Sequence, residues 1–144
     1  DLLPCFLKNF GNYTNYTFTR SKTNGIFNPD GAPRNDAKFP GTAPNLFNLS
    51  LSYETKRFSS RVSGNFADSY VYELGGEAFE DVYYDKQFFL DANASYRLFA
   101  KMRIFGEATN LTNQPLRFYQ GEKSQTQQVE FYRPRYNFGV KFDL

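Results

Sequence analysis

The chain has no histidine and no tryptophan, and only one cysteine and one methionine among its 144 residues. Each absence closes a class of function. Without histidine there is no imidazole general base, no Ser-His-Asp set and no histidine-bound zinc or copper centre of the usual kind. With Cys5 alone no disulfide framework can form, and this residue reads as a small apolar side chain. Basic and acidic residues nearly balance, 17 against 15, so no nucleic-acid partner is expected. No run of about 18 apolar residues exists, which excludes a transmembrane helix. No charged start leads into an apolar run, so no signal peptide is recognised. Gly75–Gly76 is an isolated pair rather than a phosphate-cradling loop. The expectation is a protein that is not an enzyme and carries no cofactor or metal.

What the chain has in excess is aromatic side chains, 19% of residues, with 17 Phe and 11 Tyr. Its mean hydropathy is nevertheless −0.62. Many aromatics in a hydrophilic chain favour strands with one apolar and one polar face. The chain ends in RPRYNFGVKFDL, where Tyr136, Phe138, Val140, Phe142 and Leu144 alternate with Arg135, Asn137, Gly139, Lys141 and Asp143. The same period of two runs through NLFNLSLSYE, FSSRVSGNFADSY and FFLDANASYRL, more roughly through MRIFGEATN, and weakly through FGNYTNYTF. These six segments predict six strands, each of about ten residues.

Length and spacing separate these strands from ordinary soluble ones. A typical globular strand has about five or six residues, whereas a tilted strand of about ten crosses the apolar core of a bilayer. Tight turns are expected near Thr55–Arg57 and Leu98–Lys101, and long connections over 21–43, 71–86 and 113–128. Short and long connections alternate, as they do in outer-membrane barrels. The apolar rows carry almost no charge, Asp68 excepted. The opposite rows hold Arg61, Asp91, Arg103, Glu107, Arg133 and Arg135, together with Glu54, Arg97 and Lys141. A water-filled or plugged barrel interior accepts such groups, with Asp91 and Glu107 expected to pair with Arg61, Arg97 or Arg103. Pro134 lies within the last strand, where it donates no ladder hydrogen bond; it marks either an irregular outer portion or an unpaired neighbouring carbonyl. The fold class expected is all-β, an antiparallel up-and-down transmembrane barrel segment. A soluble or secreted β-sandwich binding a glycan or a protein is the alternative.

Five stretches carry a resemblance: LPCFLKNFGNYTNYTFTRS, FPGTAPNLFNLSLSYE, FFLDANASYRL, FGEATNLTNQPLRFYQG and EFYRPRYNFGVKFDL. Together they resemble, in order and over nearly the whole chain, the C-terminal barrel region of TonB-dependent outer-membrane receptors. Leu144 stands where many outer-membrane proteins end in Phe or Trp. The resemblance implies a Gram-negative outer-membrane location and one segment of a barrel of about 22 strands around a plug. It also implies import of a scarce nutrient (a metal chelate, a vitamin or a glycan) with energy delivered by TonB. The implied partners are outer-membrane lipid, the remaining barrel strands and plug of the same receptor, the TonB complex through an N-terminal part, and the barrel-assembly machinery through the C-terminal strand. Residues 1–144 then form a C-terminal portion without the plug. Six strands fall below the roughly eight of the smallest barrels, so this portion is not expected to transport alone.

The long connections hold the candidate ligand contacts. In NPDGAPRNDAKFPG these are Arg34, Asn35, Asp36 and Lys38; in YELGGEAFEDVYYD, Tyr83 and Tyr84; in the third connection, Arg117, Tyr119 and Gln120. Glu73, Glu77, Glu80, Asp81 and Asp85 lack the spacing of a calcium loop and read as a solvated acidic stretch. The Asn-X-Ser/Thr triplets at Asn12, Asn15, Asn48, Asn93 and Asn110 match the glycosylation pattern. Most fall inside expected strands, where a glycan would clash with the neighbouring strand.

Overall fold

The computed structural model describes residues 7–142; Cys5 and Leu144, the last member of the C-terminal apolar row, lie outside the described residues. Ten strands follow one another: β1 (Phe10–Phe18), β2 (Asn45–Glu54), β3 (Phe58–Ala67), β4 (Tyr70–Glu73), β5 (Val82–Tyr84), β6 (Gln87–Phe99), β7 (Met102–Thr109), β8 (Leu116–Gln120), β9 (Thr126–Glu130) and β10 (Arg135–Phe142). The long strands form one antiparallel sheet in the order β1-β2-β3-β6-β7-β10, and the short ones a second in the order β4-β5-β8-β9. The first sheet is open at both edges and is not closed into a barrel.

The long sheet matches the alternation. Leu51 stands opposite Val62, and Val62 opposite Ala92. Tyr136 stands opposite Ala108, which in turn faces Ala92. On the other face Ser52, Arg61, Asn93, Glu107 and Asn137 stand in one transverse row. Apolar and polar sets therefore occupy opposite faces from β2 across to β10. The apolar face is not covered: Leu51 is 50% exposed, Val140 50% and Phe138 82%. A β-sandwich would pack such a face against its second sheet. Here Tyr16, Phe47, Phe66 and Phe88 line up near one end of the face, and Phe10, Tyr53, Phe58 and Tyr96 gather near the other. Aliphatic residues lie between these clusters, in the order of an apolar membrane band between aromatic girdles. β1 departs from this order, for Asn12 and Thr14 stand in its apolar row, and Thr14 Oγ1 donates to Asn12 Oδ1 (3.3 Å).

Phe105 falls on the polar face, where its ring covers Gly139 of β10; a Cβ there would lie 2.6 Å from the ring. Ser59 and Ser95, and Ser50 and Ser63, share hydroxyl hydrogen bonds of 2.8 and 3.0 Å across strands. The tight turn after β2 is held by Thr55, whose Oγ1 accepts from Phe58 N (2.9 Å).

The second sheet corrects the sequence reading. Residues 71–86 and 113–128 were expected as loops, yet they hold β5 and β8 entirely and most of β4 and β9. Their order repeats that of β3-β6-β7-β10, so the two hairpins continue past the long sheet as a narrower upper sheet. Likewise the last strand does not run unbroken from Gln128. β9 ends at Glu130, residues 131–134 carry no ladder, and Arg133 adopts φ 59° before Pro134. Pro134 thus marks an irregular outer portion. The connection over 21–43 folds onto the upper sheet, and there lie the buried residues Ala37, Val71 and Tyr119. Gly41 N donates to Val71 O (2.8 Å).

Candidate functional site

All three long connections emerge at the same end of the long sheet, and two ion pairs organise them. Arg34 is 4% exposed and Asp81 3%. The Arg34 guanidinium holds both Asp81 oxygens, at 2.9 and 2.5 Å, and donates to Gly75 O (3.2 Å). Asp81 Oδ1 also accepts from Gly75 N (2.9 Å). The hydrogen bond that Arg34 donates to Asp81 holds the Arg34 pKa above its ordinary value, against the opposing effect of burial. Arg34 is therefore a fastener between the first connection and the upper sheet. Asp81 is not solvated, contrary to the reading of the acidic stretch. In the second pair Arg117 Nη1 lies 2.7 Å from Asp85 Oδ2. The same side chain donates to Thr126 Oγ1 and to Lys123 O.

The remaining candidates fall into two groups. Tyr119 is buried and stacks on Tyr83, with centroids 5.1 Å apart and planes 5° from parallel. Burial first, then the Asp81 charge, pushes the Tyr83 hydroxyl pKa up. Gln120 Nε2 donates to Glu80 O (3.2 Å). These side chains are taken up within the upper sheet. Asn35, Asp36 and Lys38 are exposed and line a groove of about 410 Å³ with Arg20 and Lys22. No group of three or more potential ligands among the described residues is placed to hold a metal ion.

A second cavity, of about 430 Å³, opens on the polar face where the two sheets meet. It brings Tyr84, read from the sequence as a loop contact, together with Asp91, Arg133 and Arg135, read as barrel-interior residues, and adds Phe89 and Tyr132. The segment after β7 builds one wall. Asn110 and Asn113 take φ 55° and 50°, a left-handed conformation that asparagine tolerates. Asp91 Oδ1 accepts from Asn110 N (2.8 Å), and Asn110 Oδ1 accepts from Gln114 N (2.8 Å). Leu111 N donates to Leu90 O (2.8 Å), and Gln114 Oε1 accepts from Phe88 N (3.0 Å). The segment is thereby stitched to β6 and launches β8. The opposite wall is the break before β10, where Arg133 is held in a conformation rare for its type. Tyr132 first, then Gln128, donate to Glu130 and lower its pKa. Asp91 and Glu107 form no ion pair with Arg61, Arg97 or Arg103, contrary to expectation. Asp91 instead positions Asn110, and Glu107 lies between Asn93 and Asn137.

A family model described as TonB dependent receptor-like, beta-barrel matches residues 7–111. The chain belongs to this family. The match ends at Leu111, inside the Asn110–Gln114 turn, and β10 continues the matched sheet by pairing with β7 along its whole length. No curated protein and no solved structure matches the chain. TonB-dependent receptors are transporters of the bacterial outer membrane rather than enzymes, and this chain is a segment of such a barrel. In barrels of this kind an apolar face meets lipid, a polar face looks inward and tight turns point to the periplasm.

Proposed function

We propose that residues 1–144 form a C-terminal part of the wall and outer mouth of a receptor that imports a scarce nutrient, with the plug and the TonB-contacting segment supplied by residues outside this chain. The nutrient is a metal chelate, a vitamin or a glycan. β10 pairs on its free edge with the first strand of the receptor and presents its apolar row to the assembly machinery. One observation carries this reading. The long connections fold onto one end of the sheet as an ion-paired upper layer, with a cavity at the junction on the polar face. Recognition commonly rests on loops held by a rigid scaffold. Tyr84, Arg133 and Arg135 at the cavity, and Asn35, Asp36 and Lys38 in the groove, are the contacts proposed for the ligand. Arg34, Tyr83, Arg117, Tyr119 and Gln120 support them from behind.

The test is uptake by cells that lack the intact receptor and by cells complemented with it, using a labelled ferric chelate, cobalamin and a malto-oligosaccharide. Complementation restores uptake of one compound class. Tyr84→Ala with Arg133→Ala then raises the half-saturating concentration about tenfold or more, the loss of one or two good contacts. The amount of receptor in the outer membrane stays the same. Unchanged uptake by that variant would remove the cavity from the ligand path.

A further inference from the structure

At the tight-turn end of the polar face, Arg97 of β6 stands directly opposite Arg103 of β7, and Arg103 directly opposite Lys141 of β10. Three cations thus sit abreast on neighbouring strands, about 5 Å from one strand to the next. Like charges placed directly opposite one another destabilise a sheet. Elsewhere on this face, residues directly opposite are neutral pairs, as Ser50 with Ser63 and Asn48 with Asn65, or a single charge between neutral groups, as Arg61 between Ser52 and Asn93. Water alone is satisfied by such hydroxyls and amides, so solvation gives no reason for the cationic row.

Nothing within the described residues neutralises it. Glu54 lines the same hollow as Arg97 and Arg103, and Glu107 lies further along the same face of β7. Neither forms an ion pair with the row. The row also lies on the face turned away from lipid, which removes phospholipid headgroups as its counter-charge.

We propose that Arg97, Arg103 and Lys141 form a docking surface for an acidic polypeptide segment held inside the barrel at its periplasmic end. This rests on the barrel-wall reading above. Charge complementarity sets the chemistry of the partner. The width of three strands, about 10 Å, suits two or three carboxylates carried on one segment, and each arginine offers its fork to a carboxylate. Binding converts mutual repulsion into attraction, so occupancy of the row stabilises this end of the sheet.

The sign of a stability change tests this. In the intact receptor purified from outer membranes, Arg97→Gln with Arg103→Gln removes the repulsion and any partner at once. An unoccupied row gives a variant with a higher melting temperature; an occupied row gives a lower one, as expected here. A second readout needs no variant to fold. Carbodiimide activation of carboxylates should join Lys141 to an Asp or Glu outside residues 1–144, found by mass spectrometry of the digest and lost in Lys141→Gln. A melting temperature that rises or holds, or a Lys141 that yields no such cross-link, overturns the proposal. Absence of the receptor from the outer membrane would instead overturn the barrel-wall reading.

Discussion

Arg34 and Asp81 lie 47 residues apart in sequence, and their pairing makes two connections into one body. Removing one partner of a buried pair leaves the other charge without compensation, at a cost of about 3–5 kcal/mol. Arg34→Met should therefore free the first connection from the upper sheet. The expected sign is faster amide exchange at Gly41 and Gly75, whose N–H groups are held by Val71 O and Asp81. Amides of β2 and β3 should keep their protection, and adding Asp81→Leu to the variant should restore most of it. Faster exchange throughout the long sheet would show that the pair supports the wall as well. This pair was not legible beforehand. An arginine in a Pro-Arg-Asn-Asp stretch looks the same whether it reaches into solvent or into a neighbouring loop. Asp81 likewise looked like four other carboxylates near it. Only the fold tells them apart, because the partner lies in a different connection.

Among elements, the turn from Asn110 to Gln114 has the most consequence, because it ends β7, ties to β6 and starts β8. Asn110 accepts from Gln114 N while occupying φ 55°. Asn110→Ala strains the backbone and also leaves the Gln114 amide without its acceptor, for about 1–3 kcal/mol. Asn110→Gly keeps the backbone relaxed and loses only the acceptor. Limited proteolysis of the folded receptor should thus cut within residues 110–120 fastest in the alanine variant, more slowly in the glycine variant and slowest in the wild type. Equal rates would mean that the turn is held by its bonds to β6, through Asn110 N, Leu111, Thr112 and the Gln114 side chain. The long strands were legible because an alternation of period two, sustained over about ten residues, suits a two-faced strand and scrambles the faces of a helix. β4, β5, β8 and β9 have three to five residues each, too few to display a period. β5 finds its partner β8 across the whole β6–β7 hairpin, so its strand character is a tertiary effect. The break beside Arg133 was half legible, because Pro134 signals an irregular ladder without telling which neighbour takes the positive φ.

For the whole molecule, the two faces of the long sheet imply two solvents, and neighbouring residues on one strand can test this directly. Val62 lies on the apolar face between Leu51 and Ala92, near the middle of β3. Ser63, the next residue, lies on the polar face between Ser50 and Asp91. If the apolar face meets lipid, an arginine at Val62 costs about 2–4 kcal/mol at that depth. An arginine at Ser63 faces water and a carboxylate, and costs little. The intact receptor, refolded into bilayers and followed by denaturant unfolding, should show Val62→Arg destabilised by that amount and Ser63→Arg close to wild type. Propensity does not produce this asymmetry, since both variants place the same residue in the same strand. Equal tolerance would put water on both faces, and the exposed Leu51, Val140 and Phe138 would then need a protein partner to cover them. Loss at Val62 alone makes the bilayer that partner. Six strands that cannot close on themselves are then stable as one arc of a larger wall, with lipid against one face and the contents of the barrel against the other.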